Sequence, residues 1–404
     1  MFRGIKRNVL VLGVTSLLTD LSSEIIYPLV PLFLTSVLGA PVAVVGLIEG
    51  IAESTASLLK VFSGWISDRR PRRRPLVICG YSISAVAKPL MATAFTWPAV
   101  LLLRFSDRVG KGIRTAPRDA LIADSSAPAT RGRAFGFHRA MDTVGAALGA
   151  LLALLAVGVL GERYRLIFLL SAIPAALGVA SLFFVHERRR HLASSGPARL
   201  SLSQFGRRYK IFLLAGAIFA LGNSSDAFLI LRARDLGLSA FAVVLAYVVF
   251  NLVYAALSMP AGSLSDRIGR RRLLVAGFSL FSLVYLGLAL ASGTVAVWPL
   301  FAVYGIYMAM TEGVGKAYVT DLSPAGTRGT ALGAYQTVTG IVAFFSSLIA
   351  GLLWDLVDPR APFLFGAAAG LAAALVLVAA VRDRPSGGGG KGFHPQPHNC
   401  TPGI

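Results

Sequence analysis

Cysteine is nearly absent from this chain: two among 404 residues, Cys79 inside an apolar run and Cys400 close to the end. Two thiols so placed build neither a disulfide framework nor a thiolate zinc cluster. Charge is scarce as well, at 14%, where soluble domains carry roughly 25%. No G-x-x-x-x-G-K-[ST] loop and no H-E-x-x-H occurs, so ATP-driven pumping and zinc hydrolysis lack their residues. Acids are few, 19 against 39 Lys and Arg, for a formal charge of +20. In a soluble protein that excess would suggest nucleic acid. Here the bases cluster in short breaks between long apolar runs, which excludes nucleic acid as a partner and makes them topology signals.

What the chain has is hydrophobicity, with a mean hydropathy of +0.69. Runs of spanning length, about 20 residues each, fall at 9–36, 43–65, 75–95, 98–121, 133–157, 164–185, 211–232, 239–261, 272–292, 295–318, 330–354 and 361–381. The first begins on basic residues like a signal peptide, but it continues past any h-region and is read as a retained span. Alternate loops separate by charge. RRPRRRP (Arg69 to Pro75), Arg131 and Arg133, the connector from His186 to Lys210, DRIGRRR and Arg328 fall on one side. By the positive-inside rule that side, with both termini, is cytoplasmic. The expected organisation is a six-span half at 1–185, a cytoplasmic connector at 186–210, a second six-span half at 211–381 and a flexible tail at 382–404. The tail ends in His394, His398 and Cys400 and is not read as a metal site.

The halves repeat. GWISDRRPRR at Gly64 recurs as GSLSDRIGRR at Gly262, 198 residues on, and DSSAPATRGRAFG at Asp124 recurs as DLSPAGTRGTALG at Asp321, 197 on. SSE at Ser22 answers SSD at Ser224 more weakly. Parallel repeats of this kind build a midplane site between halves. The duplicated G-x-x-x-D-R-x-x-R-R block resembles the signature loop of the major facilitator superfamily, and the chain is similar to its prokaryotic exporter-like members. The resemblance implies an all-α polytopic membrane protein of twelve transmembrane helices in two six-helix halves. It also implies a monomeric secondary carrier of a small molecule, not an enzyme, without cofactor or metal, in the cytoplasmic membrane of a bacterium or archaeon. Two departures stand out: Pro71 replaces the usual Gly, and the span-5 motif G-x-x-x-G-P appears as Gly145 and Gly149 followed by Ala150.

Within the motif, Asp68 and Asp266 sit at helix ends beside Arg69 and Arg267. Ion pairs there would latch one of two states, so Gly64, Asp68, Arg69, Gly262, Asp266 and Arg267 form the expected cytoplasmic gate. The fourth span carries Arg104, Arg108, Lys111, Arg114 and Arg118. Spaced 4, 3, 3 and 4, they fall within roughly a third of a helix circumference. Such a stripe costs at least about 2.5 kcal/mol per charge in lipid and must face partners or a cavity. Arg108, Lys111 and Gly112 also fit the family's R-x-x-Q-G motif, whose Arg is linked to proton movement, with Lys111 in place of Gln.

Asp20 and Glu24, and Glu49 and Glu53, are four apart and share helix faces. The embedded acids Asp20, Glu24, Glu49, Glu53, Asp107, Asp119 and Asp142 number seven. They face eight bases, Lys60, Lys88, Arg104, Arg108, Lys111, Arg114, Arg118 and Arg139. A mutually neutralised network therefore stands beside a functional one. In the second half Glu49 and Glu53 become Tyr247 and Asn251, while His138, Arg139 and Asp142 become Tyr335, Gln336 and Thr339. At these positions the second half keeps polarity and discards charge, leaving Asp226 and the Glu312/Lys316 pair as its sparse charged points. Proton coupling is accordingly assigned to Asp20, Glu24, Glu49, Glu53 and Arg108. The substrate path takes Arg104, Lys111, His138, Arg139, Asp142, Asn223, Asp226, Tyr247, Asn251, Glu312, Tyr335 and Gln336. Pro28 and Pro31 are expected to bend span 1. Three functions remain open: proton-linked efflux of a small organic molecule, transport of an organic anion or phosphate ester held by the stripe, and a receptor or scramblase without coupling.

Overall fold

The computed structural model describes residues 6–69, 72–126, 131–187, 205–324 and 327–380. The tail residues His394, His398 and Cys400 lie outside that set, as does the side chain of Asp68. Among the described residues there is no strand. The helices are α1 (Arg7–Val37), α2 (Val42–Asp68), α3 (Arg74–Thr93), α4 (Trp97–Asp124), α5 (Arg131–Leu160) and α6 (Tyr164–Phe184), followed by α7 (Arg207–Asp235), α8 (Ala240–Ile268), α9 (Arg270–Leu290), α10 (Thr294–Asp321), α11 (Arg328–Leu356) and α12 (Ala361–Ala380). Eleven are long and apolar enough to cross a membrane by themselves. The remaining one is α4, whose cationic stripe removes it from any test of apolarity.

Local sequence sets the ends. Ser239 caps α8 by accepting from the Ala242 NH at 3.2 Å, a side-chain oxygen satisfying a free first-turn donor. Gly269, at φ +95°, turns the chain from α8 directly into α9, a conformation that suits glycine. In α1 the expected bend is present: Tyr27–Leu29 tightens to a 3-10 turn around Pro28 and Phe33–Val37 widens to a π turn. One expectation needs correction. The apolar run at 211–232 is not one helix, because α7 stops at Gly222 and restarts at Ala227.

Helix pairing follows the sequence repeat. In the first half α1 packs on α5 and α6, α2 on α4, and α3 on α4 and α6; in the second half each of these pairs recurs six helices later. Between halves the main contacts are α2 with α11 and α5 with α8. The outer surface is apolar, with Val159 80% and Met259 83% exposed, as lipid contact requires. On the side away from the basic loops the halves touch closely. A Cβ on Gly46 would run into the Ser347 carbonyl, and one on Gly351 would meet Ala43 Cα, so only glycine allows that backbone approach. Toward the basic loops the halves part, and two cavities open between them.

Candidate functional site

The larger cavity, about 480 Å³, is within the usual size range of small-molecule sites. Its inner end is the break in α7. Gly222-Asn223-Ser224-Ser225 cannot continue a helix well, since Asn and Ser divert backbone hydrogen bonds to their own side chains. Freed backbone and polar side chains at membrane depth are tolerated only where protein or a wet cavity receives them. Here protein does much of it. Tyr304 donates to Asp226 Oδ1 at 2.6 Å, Tyr307 donates to Asn223 Oδ1 at 3.2 Å, and the Ser225 NH donates to Ser347 Oγ at 3.3 Å. Asp226 does not cap the second piece of the helix, and its carboxylate lines the cavity. Stacked ring pairs Phe219–Phe278 (4.1 Å) and Phe212–Tyr335 (5.5 Å) form an aromatic wall.

The first half supplies the charge. The α4 stripe turns inward and its four arginines are answered one by one. Arg104 donates through Nη2 and Nε to Glu49 Oε1 at 2.5 and 3.1 Å, with both side chains buried. Arg108 meets Glu53 at 3.4 Å. Arg114 donates to Ser84 at 3.0 Å and lies over the Tyr81 ring, and Arg118 holds Asp119 at 2.9 Å. Glu49 Oε2 and Arg108 Nε are buried without a partner. Of these pairs only Glu53 reaches the cavity; its side chain is 47% exposed. Glu24 is bound across the halves, accepting from Tyr247 OH at 2.8 Å. Lys88 donates to the Thr19 carbonyl at 3.2 Å. Among the described residues Arg232 is the one Asp, Glu, Lys, Arg or His of the second half that is buried, which carries the expected asymmetry into three dimensions.

The structure sorts the sequence-derived path residues into three groups. Asn223, Asp226, Glu312, Tyr335 and Gln336 line the central cavity, together with Glu53. Arg139 lines the second cavity, about 400 Å³, beside Gly262 and Asp266. Arg104, Lys111, His138, Asp142, Tyr247 and Asn251 line neither. His138 and Asp142 face each other at 3.5 Å on α5, and Asn251 donates to the Tyr247 carbonyl at 2.9 Å. Asp20 is half-buried on α1 one turn from Glu24. Residues that the sequence reading left out of the path are Ser57, Lys60, Phe219, Ser225 and Ser347. The cluster of turn-forming residues before Asp226 was the signal that could have found one of them, Ser225.

At the basic loops the second motif copy joins neighbouring helix ends through Arg270: Asp266 meets Arg270 at 3.4 Å, and Arg270 reaches Asp321 at 2.8 Å. Arg267 is exposed. The first copy makes the corresponding brace, Arg73 to Asp124 at 2.7 Å. Arg69 instead lies over the Trp65 ring at 3.7 Å, one turn from Gly64.

The Major Facilitator Superfamily model matches residues 12–231 and again 211–402. The chain belongs to the major facilitator superfamily. The transporter is 38% identical over 382 residues to the uncharacterized MFS-type transporter MJ1317 of Methanocaldococcus jannaschii, covering 93% of this chain and 95% of that one. It is 23% identical to the multidrug resistance protein MdtH of Escherichia coli, covering 85% of each. Among solved structures it is similar in fold to the nucleoside transporter NupG, with a TM-score of 0.74 at 15% identity, covering 93% and 99% of the two chains. A POT family transporter in complex with 5-aminolevulinic acid gives a TM-score of 0.78 at 14% identity, covering 94% and 96%.

Proposed function

We propose that this transporter exports a small organic molecule in exchange for protons, by alternating access around the central cavity. The observation that carries the reading is the position of Glu53. It is the one member of the inward-facing α2–α4 ion pairs that also lines the cavity. A carboxylate that gains and loses a cationic neighbour or its access to water takes up and releases a proton. At Glu53 such an exchange would meet the substrate directly, with Arg108 as its switch and Glu49, Glu24 and Asp20 behind it. The MdtH relative, named for multidrug resistance, supports the outward direction. Basic loops on the open side support a cytoplasmic-facing cavity. The Arg270 braces join helix ends within one half, which supports each half moving as a rigid unit.

The test is purified protein in liposomes holding a pH-sensing dye. Proton movement opposite in direction to that of an added compound, dependent on that compound and abolished by Glu53→Gln, is the expected result. Compound-driven flux with no accompanying proton movement would refute the coupling. The anion reading draws less support, since Arg104 and Arg108 are already answered by Glu49 and Glu53 and stay away from the cavity wall.

A further inference from the structure

Five charged side chains line the central cavity: Glu53, Lys60, Asp226, Glu312 and Lys316. Three of them are matched. Glu53 meets Arg108, and Glu312 is held by Lys316 at 3.1 Å and by Tyr254 at 2.5 Å. Asp226 and Lys60 have no ion-pair partner among the described residues, although Asp226 accepts from the neutral Tyr304 hydroxyl. An anion and a cation are thus left unanswered in one cavity, on opposite halves. Both face the cavity rather than lipid, so the group that would answer each is an opposite charge on a ligand.

Their separation follows from the helices. Asp226 adjoins Ser225, whose NH is bound by Ser347, and Ser347 faces Gly46 on α2. Lys60 lies 14 residues beyond Gly46, about 21 Å of helix rise toward the basic loops. Side chains reaching in from both ends shorten the gap to on the order of 15 Å. Between the two charges runs the wall of Phe219, Phe278, Phe212 and Tyr335.

We propose that the substrate is an elongated zwitterion with an aromatic or apolar body, its ammonium group at Asp226 and its acid group at Lys60. This rests on the central cavity being the substrate path. It selects one class from the small organic molecules that path could take: neither lone cations nor lone anions satisfy both ends. Binding of such a ligand bridges the halves, since Asp226 belongs to α7 and Lys60 to α2.

The test uses the full-length protein in lipid nanodiscs and three probes: the tetrapeptide phenylalanyl-trialanine, its N-acetyl form and its C-terminal amide. Four extended residues span about 13–14 Å. The free peptide should bind about tenfold or more tightly than either blocked form, as expected for loss of one charge pair. Asp226→Asn should erase the preference over the acetylated peptide alone, and Lys60→Gln the preference over the amide alone. Equal affinity of all three probes for the unaltered protein, or no binding of any, overturns the proposal. Proton flux separates this from the coupling reading. Proton movement driven by tetraphenylphosphonium but by no zwitterion sinks the substrate class and leaves coupling intact. The expected binding pattern without peptide-driven proton flux does the reverse.

Discussion

The Asp355 carboxylate, one residue before the end of α11, accepts a hydrogen bond from the Ala43 NH at 2.7 Å and another from the Val42 NH at 3.2 Å. These are free first-turn donors of α2, so an acid of the second half caps a helix of the first. Across the interface, beyond α5, Glu162 meets Arg234 at 3.1 Å. The two contacts close the side opposite the basic loops.

Replacing Asp355 with Ala should weaken that closure by about 1–2 kcal/mol, the worth of a good N-cap. The ratio of states would then shift on the order of 5–30-fold toward opening on that side. Spin-label distances across the outer ends of α2 and α11 would read it. Asp358→Ala is the control, because Asp358 accepts from the Arg360 NH in its own loop and should change nothing. No change with Asp355→Ala would remove the cap from the gating account.

Glu49→Gln should destabilise strongly, by about 3–5 kcal/mol, because it strands a buried guanidinium. The double variant with Glu49→Leu and Arg104→Leu should recover most of the melting temperature in detergent, since an apolar pair of similar volume often replaces a buried ion pair without loss. Stability equal to wild type in the single variant would mean that Arg104 finds another partner.

Glu53→Gln behaves differently because Glu53 is half-exposed to the cavity. Folding should survive with a change of about 1 kcal/mol or less. Substrate-driven proton flux should be lost, a fall of at least about a hundredfold on the scale of one proton-transfer group. Melting curves and dye-loaded liposomes measured on one preparation would separate the two effects.

Gly46→Val should block the seating of α2 on α11, because its side chain meets the Ser347 carbonyl. The protein should then favour the state open on the outer side, with labels on α2 and α11 further apart there. A closed outer side in this variant would show that the helices pack by another route.

Arg270→Ala and Arg267→Ala make a paired comparison. The first removes contacts to both Asp266 and Asp321, while Arg267 is exposed. Arg270→Ala should slow substrate turnover severalfold with at most about 1 kcal/mol lost in stability, and Arg267→Ala should leave both unchanged. Equal turnover in the two variants would count against the brace.

The sequence by itself determined the solvent, the helices and the duplication. Few charges, runs of spanning length and a motif recurring at 197–198 residues leave only a twelve-helix membrane protein in two halves. It also determined that the α4 stripe faces inward, because periodicity puts the five bases on one face and lipid would penalise each of them. It did not determine which acid answers which base. Asp20, Glu24, Glu49 and Glu53 all carry the same four-residue spacing, and spacing within a helix says nothing of its rotation and depth against a neighbour. Packing of α2 on α4 selected Glu49 for Arg104 and Glu53 for Arg108, and left Glu24 to Tyr247 across the interface. Tertiary structure likewise selected Tyr304, Tyr307 and Ser347 as the groups that receive the break at Asn223–Asp226. The reason is the same in each case. A buried polar group takes whichever partner the fold brings within about 3 Å, and that distance is fixed between helices, not along them.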